Sequence, residues 1–267
     1  MRFFWIDAFA DRPFSGNPAV VCIAPRELPC ETQQSLASEF NVSETVFLAP
    51  AADAYSIRWF TPTVEVPLVG HATLAAASAL LGHLERQRAR VSFVSPQSGR
   101  LEAWREAEGY AIDLPADEAA PCEPPSDLIA GLGAKPQTAY RGRHYMAVFR
   151  DEQEIAGIAP DFGVLARLDL PTVVATAPGR DCDYVLRFFA PRNGVPEDPV
   201  SGVAQCSLVP YWSRRLGRER LMSRQLSARG GGMTCWLNGD RVAICGPCRT
   251  IAEGAFDSSF DAEGDSP

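Results

Sequence analysis

Lysine is almost absent from this sequence: Lys135 is the only one among 25 basic residues, and the rest are arginine. Schiff-base and pyridoxal chemistry, and a phosphate-binding loop, each need a lysine in a specific setting. Lys135 lies in Gly-Ala-Lys-Pro, which fits neither setting. The sequence therefore favours an enzyme that works without an organic cofactor.

Long apolar runs are also missing. The longest mostly apolar stretch, Ala72 to Leu81, is about half of the ~20 residues that a membrane span needs, and Thr73 and Ser78 interrupt it. The first seven residues end on Asp7, where a secretory signal would continue its apolar region. We therefore expect a cytoplasmic protein that has no membrane partner.

The eight cysteines show no framework spacing, so reduced thiols are expected. Cys245-Gly-Pro-Cys248 matches a thioredoxin-type motif, but such a pair needs its first thiol at a helix start. Here the motif joins two predicted strands, 241–245 and 249–253. We interpret it as a β-turn and keep a thiol oxidoreductase only as a third hypothesis. No second pair has zinc-finger spacing, so no metal site is predicted.

The formal net charge is −8, and the last 15 residues contribute five acids and no base. A basic run comprises Arg214, Arg215, Arg218, Arg220, Arg224 and Arg229. Aromatic side chains that could stack on bases do not alternate with these arginines. The run is interpreted as a solvated helix face and the turn after it, and no nucleic-acid partner is expected.

Short runs rich in Val, Ile, Phe and Tyr recur along the chain and are bounded by Gly, Pro or Asn, which is typical of strands. Helices are predicted only at about 31–40, 70–82, 160–168 and 201–216. This distribution favours an α+β protein over a regular alternation of strands and crossover helices.

The sequence contains an internal repeat. Tyr55-Ser-Ile-Arg-Trp-Phe-Thr-Pro62 matches Tyr184-Val-Leu-Arg-Phe-Phe-Ala-Pro191, and the match resumes after three extra residues, at Glu65 and Glu197. Two homologous halves are implied. We predict an N-terminal half over 1–116, a linker over 117–126, a C-terminal half over 127–254 and a disordered acidic tail over 255–267.

Each half shows a strand, a proline turn, an acidic residue and a glycine that begins a helix, namely Gly70 and Gly202. Gly82 and Gly217 are placed to end these helices. If a pseudo-twofold axis relates the halves, both helix N-termini can face one cleft. Their N–H groups and positive dipole ends would then form a site for a small carboxylate.

Five motifs occur in one order: Phe14-Ser-Gly-Asn-Pro-Ala-Val-Val, Asn41-Val-Ser-Glu-Thr-Val-Phe, Arg58-Trp-Phe-Thr-Pro, Gly70-His-Ala-Thr-Leu and Glu197-Asp-Pro-Val-Ser-Gly. This set resembles the phenazine-biosynthesis PhzF-like family of the diaminopimelate epimerase and proline racemase superfamily. The resemblance implies two pseudo-symmetric α+β domains, each a sheet wrapped around a central helix, with the active site between them. It also implies a homodimer without metal or organic cofactor.

The resemblance assigns roles to individual residues. Glu44 matches the family's proton-transferring glutamate, and Asp198 matches a second acidic residue that orders the substrate or relays protons. His71, at a helix start, is expected to hydrogen-bond a substrate oxygen or to change charge near neutral pH. For Asn17, carboxylate binding and a turn role are both open. Gly70, Ser201, Gly202 and Val203 complete the expected substrate-binding set.

The departures from the superfamily pattern are informative. Its racemases and epimerases use two thiols, one in a Cys-Gly pair at each central helix start, whereas this chain has Val69-Gly70 and Ser201-Gly202. Two-thiol racemisation is therefore not expected, and Cys206 is interpreted as a packing residue. Val203 stands where many relatives carry serine. Loss of that hydroxyl favours a less polar ligand.

The leading hypothesis is a cofactor-independent isomerase of a small carboxylated metabolite, with Glu44 as the general acid and base. The alternative is a catalytically inactive carboxylate-binding protein of the same fold.

Overall fold

The computed structural model describes residues 1–257, which form two compact units. Unit 1 contains Met1–Asp113 together with the described residues from Cys245 onward, and unit 2 contains Leu114–Ile244. The boundary therefore falls within strands β8 and β17, defined below.

Unit 1 contains nine strands, two helices and a π-helical turn within the described residues. They are β1 (Arg2–Ala8), β2 (Asn17–Ile23), α1 (Cys30–Phe40), β3 (Glu44–Ala51), β4 (Ala54–Phe60), β5 (Glu65–Val66), α2 (Gly70–Ala77), the π-helical continuation of α2 (Ser78–Leu84), β6 (Arg90–Ser95), β7 (Gly99–Glu106), most of β8 (Gly109–Pro115) and β18 (Cys248–Ala255).

Unit 2 has the remaining elements. They are β9 (Ala120–Cys122), α3 (Ser126–Leu132), β10 (Thr138–Arg141), β11 (Tyr145–Val148), α4 (Glu152–Ala156), α5 (Phe162–Leu165), β12 (Val173–Pro178), β13 (Tyr184–Ala190), a 3₁₀ turn (Pro191–Asn193), β14 (Val195–Asp198), α6 (Gln205–Leu216), β15 (Arg220–Gln225), β16 (Gly231–Asn238) and most of β17 (Arg241–Gly246).

The two units share one strand topology. In unit 1, β2 pairs in parallel with β3, β3 and β5 are antiparallel to β4, and β6 pairs in parallel with β4. In unit 2, β11, β12, β13, β14 and β15 repeat this order and these directions. The long helix follows the short strand in each copy. The α+β class and the pseudo-symmetric pair of units are therefore confirmed.

A duplicated ion pair explains part of the sequence repeat. Arg58 Nε and Nη2 each lie 2.8 Å from a carboxylate oxygen of Glu65, which is a bidentate pairing. Arg187 Nε and Nη2 contact Glu197 in the same way, at 2.7 and 2.8 Å. Each pair joins neighbouring antiparallel strands, and the planar guanidinium matches the carboxylate geometry.

The two long helices are packed differently. All eight residues of α2 are buried, as the absence of a polar face on this alanine-rich segment requires. Helix α6 buries its first six residues and Trp212 but exposes Arg214 and Arg215 in its last turn. Each unit also has a core cluster of its own, around Phe189 in unit 2 and around Phe47 in unit 1.

Several predicted helix bounds differ from the structure. The helix expected at 201–216 begins at Gln205, because Ser201 to Ala204 form a turn, and it ends as expected at Gly217 in the left-handed conformation. Gly82 does not end its helix but lies within the π-helical turn. The helices α3 and α4 were not predicted.

The domain bounds also differ from the structure. The segment 117–126, expected to be a linker, contains β9, which pairs with β10. Residues 248–254, expected in the C-terminal half, and Ala255, expected in the disordered tail, form β18, which pairs with β1 in unit 1. The expected disordered tail lies, from residue 258, outside the described residues. Across residues 1–257 no helix combines the length and apolarity that a membrane crossing requires.

Candidate functional site

Three of the predicted site residues lie together in unit 1, each at the start of an element. Asn17 is the first residue of β2 and is fully buried. It follows Gly16, whose φ of +73° belongs to the left-handed region that glycine tolerates. The turn therefore sends the Asn17 side chain into the interior.

Glu44 is the first residue of β3 and lies beside Ala19 of the parallel strand β2. Helix α1 ends at Asn41 in the left-handed conformation, which redirects the chain into β3 within three residues. The Glu44 side chain is 15% exposed, and its Oε2 atom is buried.

His71 is the second residue of α2, and its side chain is only 5% exposed. Val69, the residue before the helix, has an extended backbone and provides no side-chain cap for it. The first N–H groups of a helix have no acceptor inside it. The start of α2 at Gly70 therefore combines a buried imidazole with backbone donors.

The imidazole of His71 connects the other two side chains. Its Nδ1 atom lies 3.1 Å from Asn17 Nδ2, and its Nε2 atom lies 3.1 Å from Glu44 Oε2. Because the Asn17 amide nitrogen can only donate, Nδ1 must accept. A neutral imidazole then carries its proton on Nε2, the ring atom that lies in close contact with the Glu44 carboxylate. Asn17 thus sets the tautomer of His71, and the imidazole packs against the Glu44 carboxylate.

The remaining predicted site residues lie in unit 2. Asp198 is the last residue of β14, opposite Phe188, and is partly exposed. Ser201 is buried, and its Oγ atom accepts from Ala204 N at 3.3 Å, so the hydroxyl caps the turn before α6. Gly202 and Val203 complete this turn. Their substrate-binding roles stay predictions.

Matching the strand registers of the two units shows what stands in unit 2 at the positions of the unit 1 side chains. Phe60 opposes Thr45, and its repeat partner Phe189 opposes Val173, so Glu44 corresponds to Thr172. By the sequence repeat, His71 corresponds to Val203. Unit 2 therefore has no copy of the imidazole–carboxylate pair.

A histidine that the sequence reasoning missed occupies this part of unit 2. His144 is 4% exposed, and its Nδ1 atom lies 2.5 Å from Thr172 Oγ1. Burial lowers the pKa of the His144 imidazole to about 4, although the nearby Asp117 opposes this shift. The ring is therefore neutral at pH 7. By the same strand registers His144 corresponds to Ala19, so the sequence repeat gives no signal for it.

The thiols of unit 1 do not form a redox site of the thioredoxin type. Cys245 lies near the end of β17 and Cys248 is the first residue of β18, so neither caps a helix. Burial raises the pKa of the Cys248 thiol to about 12, whereas a redox thiol has a lowered pKa. Among residues 1–257, no cluster of three or more potential metal ligands is present.

The duplicated α+β topology places the chain in a fold shared with racemases. A probable proline racemase from Agrobacterium radiobacter, solved with bound carbonate, superposes with a TM-score of 0.62 at 12% identity, covering 96% of this chain and 93% of that one. At this identity the likeness concerns the fold alone.

More similar proteins identify the family. The model of the PhzC-PhzF family, described as phenazine biosynthesis-like protein, matches residues 6–246. An uncharacterized isomerase of Pseudomonas aeruginosa is 44% identical over 255 residues, which is 95% of this chain and 97% of the relative. A PhzF-family structure from Enterococcus faecalis has a TM-score of 0.92 at 40% identity, covering 96% and 98% of the two chains. The chain belongs to the phenazine biosynthesis-like PhzC/PhzF family, and the resemblance seen in its motifs is confirmed.

Proposed function

We propose that this protein is a cofactor-independent isomerase of a small carboxylated metabolite, in which Glu44 moves a proton between two carbons. The contact between Glu44 and His71, 3.1 Å from Nε2 to Oε2, carries this proposal. Relatives named as isomerases, 44% and 42% identical to this chain, support the reaction class.

The two oxygens of Glu44 have different surroundings. Oε2 is buried against the imidazole, so the exposed part of this side chain does not include it. Oε1 is therefore proposed as the oxygen that meets the substrate. The imidazole ring packed against Oε2 holds the carboxylate in one orientation while Oε1 exchanges a proton.

The proposed step balances without an oxidant or a reductant. Glu44 Oε1 accepts a proton from one substrate carbon, and the electron pair of the broken C–H bond forms a new C=C bond while the neighbouring C=C bond shifts its electrons to a second carbon. The protonated Glu44 then returns the proton to this second carbon. His71 keeps its Nε2 atom beside Glu44 Oε2, and Asn17 holds the orientation of the ring.

Backbone N–H groups are proposed to bind the substrate carboxylate. The start of α2 offers the N–H of Gly70, and the turn before α6 offers those of Gly202 and Val203. Helix N-termini attract anions because their N–H groups and dipoles point the same way. Asp198 is assigned to the polar groups of the substrate by its motif, and the isopropyl side chain of Val203 favours an apolar group there.

The experiment is proton exchange observed by NMR in D₂O, with a panel of small carboxylates that carry an acidic C–H group. We expect wild-type protein to isomerise one of them and to introduce deuterium at the receiving carbon. Glu44→Gln should lower the rate by ~10²–10⁴-fold, because the amide cannot accept the proton. Glu27→Gln is the matched control, since Glu27 is 55% exposed and pairs with Arg58 at 3.5 Å rather than with His71.

Two results would contradict the proposal. Full turnover by Glu44→Gln would show that another group moves the proton. Binding of a carboxylate without deuterium entering it at any pH would favour the alternative, a binding protein of the same fold.

A further inference from the structure

The segment from Asp198, the last residue of β14, to the start of α6 contains Ser201, Gly202 and Val203, and residues 199–204 form neither helix nor strand. Residues that must present a carboxylate and N–H groups to a substrate need a fixed backbone, because a misplacement of 1 Å can cost ~10²-fold in rate. The question is therefore which side chains hold this segment, here called the 198–203 loop.

One buried side-chain amide bonds to the loop backbone at two residues, Asp198 and Ser201. Gln225, the last residue of β15, is fully buried. Its Nε2 atom donates to the carbonyl oxygen of Asp198 at 2.5 Å, and its Oε1 atom accepts from Ser201 N at 2.8 Å. The donor and the acceptor of a single side chain thus fix two points of the loop, three residues apart.

The comparison with unit 1 separates a duplicated contact from an added one. Ser227 Oγ donates to the carbonyl oxygen of Pro199 at 2.5 Å, and Ser98 Oγ donates to that of Pro67, its repeat partner, at 2.6 Å. This contact occurs in both copies and belongs to the fold.

The contact that Gln225 makes with the loop has no counterpart in unit 1. In the parallel pairs, Tyr184 lies beside Ser223 as Tyr55 lies beside Phe93, so Gln225 corresponds to Ser95. Ser95 bonds locally, accepting from Gln97 N and Ser98 N at 3.3 and 3.2 Å. The longer side chain thus appears in the copy whose loop carries Asp198.

Gln225 also determines which donors are left for a ligand. It engages the N–H of Ser201, while the Ser201 hydroxyl engages that of Ala204. Within the described residues, no acceptor is recorded for the N–H groups of Gly202 and Val203. These two are the donors that the loop can offer to an anion.

We propose that Gln225 is a positioning residue that fixes the Asp198 backbone and directs the Gly202 and Val203 N–H groups toward a bound carboxylate. This inference rests on the proposed function for the identity of the ligand. The geometry of the clamp itself is independent of that function.

The test compares Gln225→Met, which fills the space but removes both hydrogen bonds, with Gln225→Glu, which keeps an acceptor for Ser201 N. Thr176→Val is the matched control. Thr176 is equally buried in unit 2, and its hydroxyl bonds to Val185 O at 2.8 Å and Trp212 Nε1 at 3.0 Å rather than to the loop.

Two quantities are measured by NMR on the full chain: the exchange rate of the Ser201 amide in D₂O, and the acetate affinity from the shifts of the Gly202 and Val203 amides. In Gln225→Met we expect Ser201 exchange about 10-fold faster and acetate binding about 10-fold weaker than in Thr176→Val. Gln225→Glu should restore most of the Ser201 protection, which a loss of general stability would not do.

The proposal is overturned if Gln225→Met changes both quantities no more than Thr176→Val does, or if Gln225→Glu exchanges as fast as Gln225→Met. If acetate leaves the wild-type amides unmoved, the carboxylate-binding part of the proposed function fails. The exchange rate of Ser201 still decides the role of Gln225 in that case, so the two failures are distinguishable.

Discussion

The side chain of Asn17 decides which nitrogen of His71 carries the proton. In Asn17→Asp the carboxylate can only accept, so Nδ1 must carry a proton and Nε2 either presents a lone pair to Glu44 or the ring becomes cationic. We expect isomerisation to slow by on the order of 10²-fold, the lower range for a displaced acid–base group. The ¹⁵N shifts of His71 report the tautomer directly.

Asn41→Asp is the control for the added charge, because Asn41 is exposed at the end of α1 and aspartate tolerates its left-handed backbone. This variant should keep the wild-type rate and the wild-type ¹⁵N shifts. An Asn17→Asp protein whose Nε2 stays protonated and neutral would contradict the assigned tautomer.

His144 makes stability depend on pH in a defined window. Its folded-state pKa of about 4 lies below the ordinary histidine value of 6.5, so the unfolded chain binds the proton first as the pH falls. The contribution is complete above pH 6.5 and is lost progressively down to about pH 4. We expect the free energy of unfolding to fall by about 2 kcal/mol from this residue between pH 7 and pH 5. Urea unfolding at the two pH values measures it.

Carboxyl groups also titrate in this range, so the His144 contribution is the difference between wild type and His144→Gln. The variant should lose stability at pH 7, because the contact with Thr172 changes, and should show the smaller decrease on acidification. An imidazole titration of His144 with a midpoint near 6.5 would disprove the account.

At the scale of elements, the turn before β2 depends on the absence of a side chain at Gly16. A Cβ there would lie 2.3 Å from Ala8 O, and Ala8 cannot shift because its strand pairs with β2 on one side and β18 on the other. Gly99 has nearly the same φ, +70°, but nothing within 4 Å of its Cβ position. Gly99→Ala should therefore cost about 1 kcal/mol from the backbone alone.

Gly16→Ala should cost a further 1–3 kcal/mol or so, which is typical of overpacking. It should also displace Asn17 and so slow the reaction, whereas Gly99→Ala should leave the reaction unchanged. Unfolding midpoints and deuterium incorporation measure the two effects. Equal stabilities of the two variants would show that the turn can relax around the methyl group.

The elements that sequence reasoning identified are those with a strong local signal. The repeat around Arg58 and Arg187 predicts matching strands, since the ion pairs with Glu65 and Glu197 need the same residues at the same positions. The short helices α3 and α4, with seven and five residues, have too few turns to show a clear period. Ser201 to Ala204 were expected in the helix because a hydroxyl-capped turn and a first helical turn share the same residue types.

At the scale of the whole chain, the repeat predicts where the copies begin to match but not where each copy ends. The pairing of β18 with β1 joins residues about 250 positions apart, and nothing local in either strand specifies that partner. For the same reason, the motifs identify Glu44 and His71 as important, but only the fold shows that the His71 imidazole lies between Asn17 and Glu44.

The two units share a fold but differ at the candidate acid–base group, which occurs in unit 1 only among the described residues. The copies share strands, ion pairs and helix positions, yet Glu44 and His71 of unit 1 correspond to Thr172 and Val203 of unit 2. Unit 1 has a carboxylate beside an imidazole, whereas unit 2 has a neutral imidazole, that of His144, beside the Thr172 hydroxyl. The shared topology therefore supports the two copies in different roles.

The division of the chain into units can be tested by expressing fragments of unit 2. Residues 114–244 contain β9 with its partner β10, and Asp117, whose Oδ2 atom accepts from Ser207 Oγ at 2.7 Å and Arg143 N at 2.9 Å. A fragment over 127–254, the half predicted from the sequence, lacks both and carries β18 without β1.

We expect the 114–244 fragment to unfold cooperatively in urea and to give dispersed NMR signals, because the core cluster of unit 2 lies within it. The 127–254 fragment should be less stable by several kcal/mol or remain unfolded. Equal stability of the two fragments would show that β9 and Asp117 contribute little to unit 2, and a more stable 127–254 would restore the boundaries drawn from the repeat.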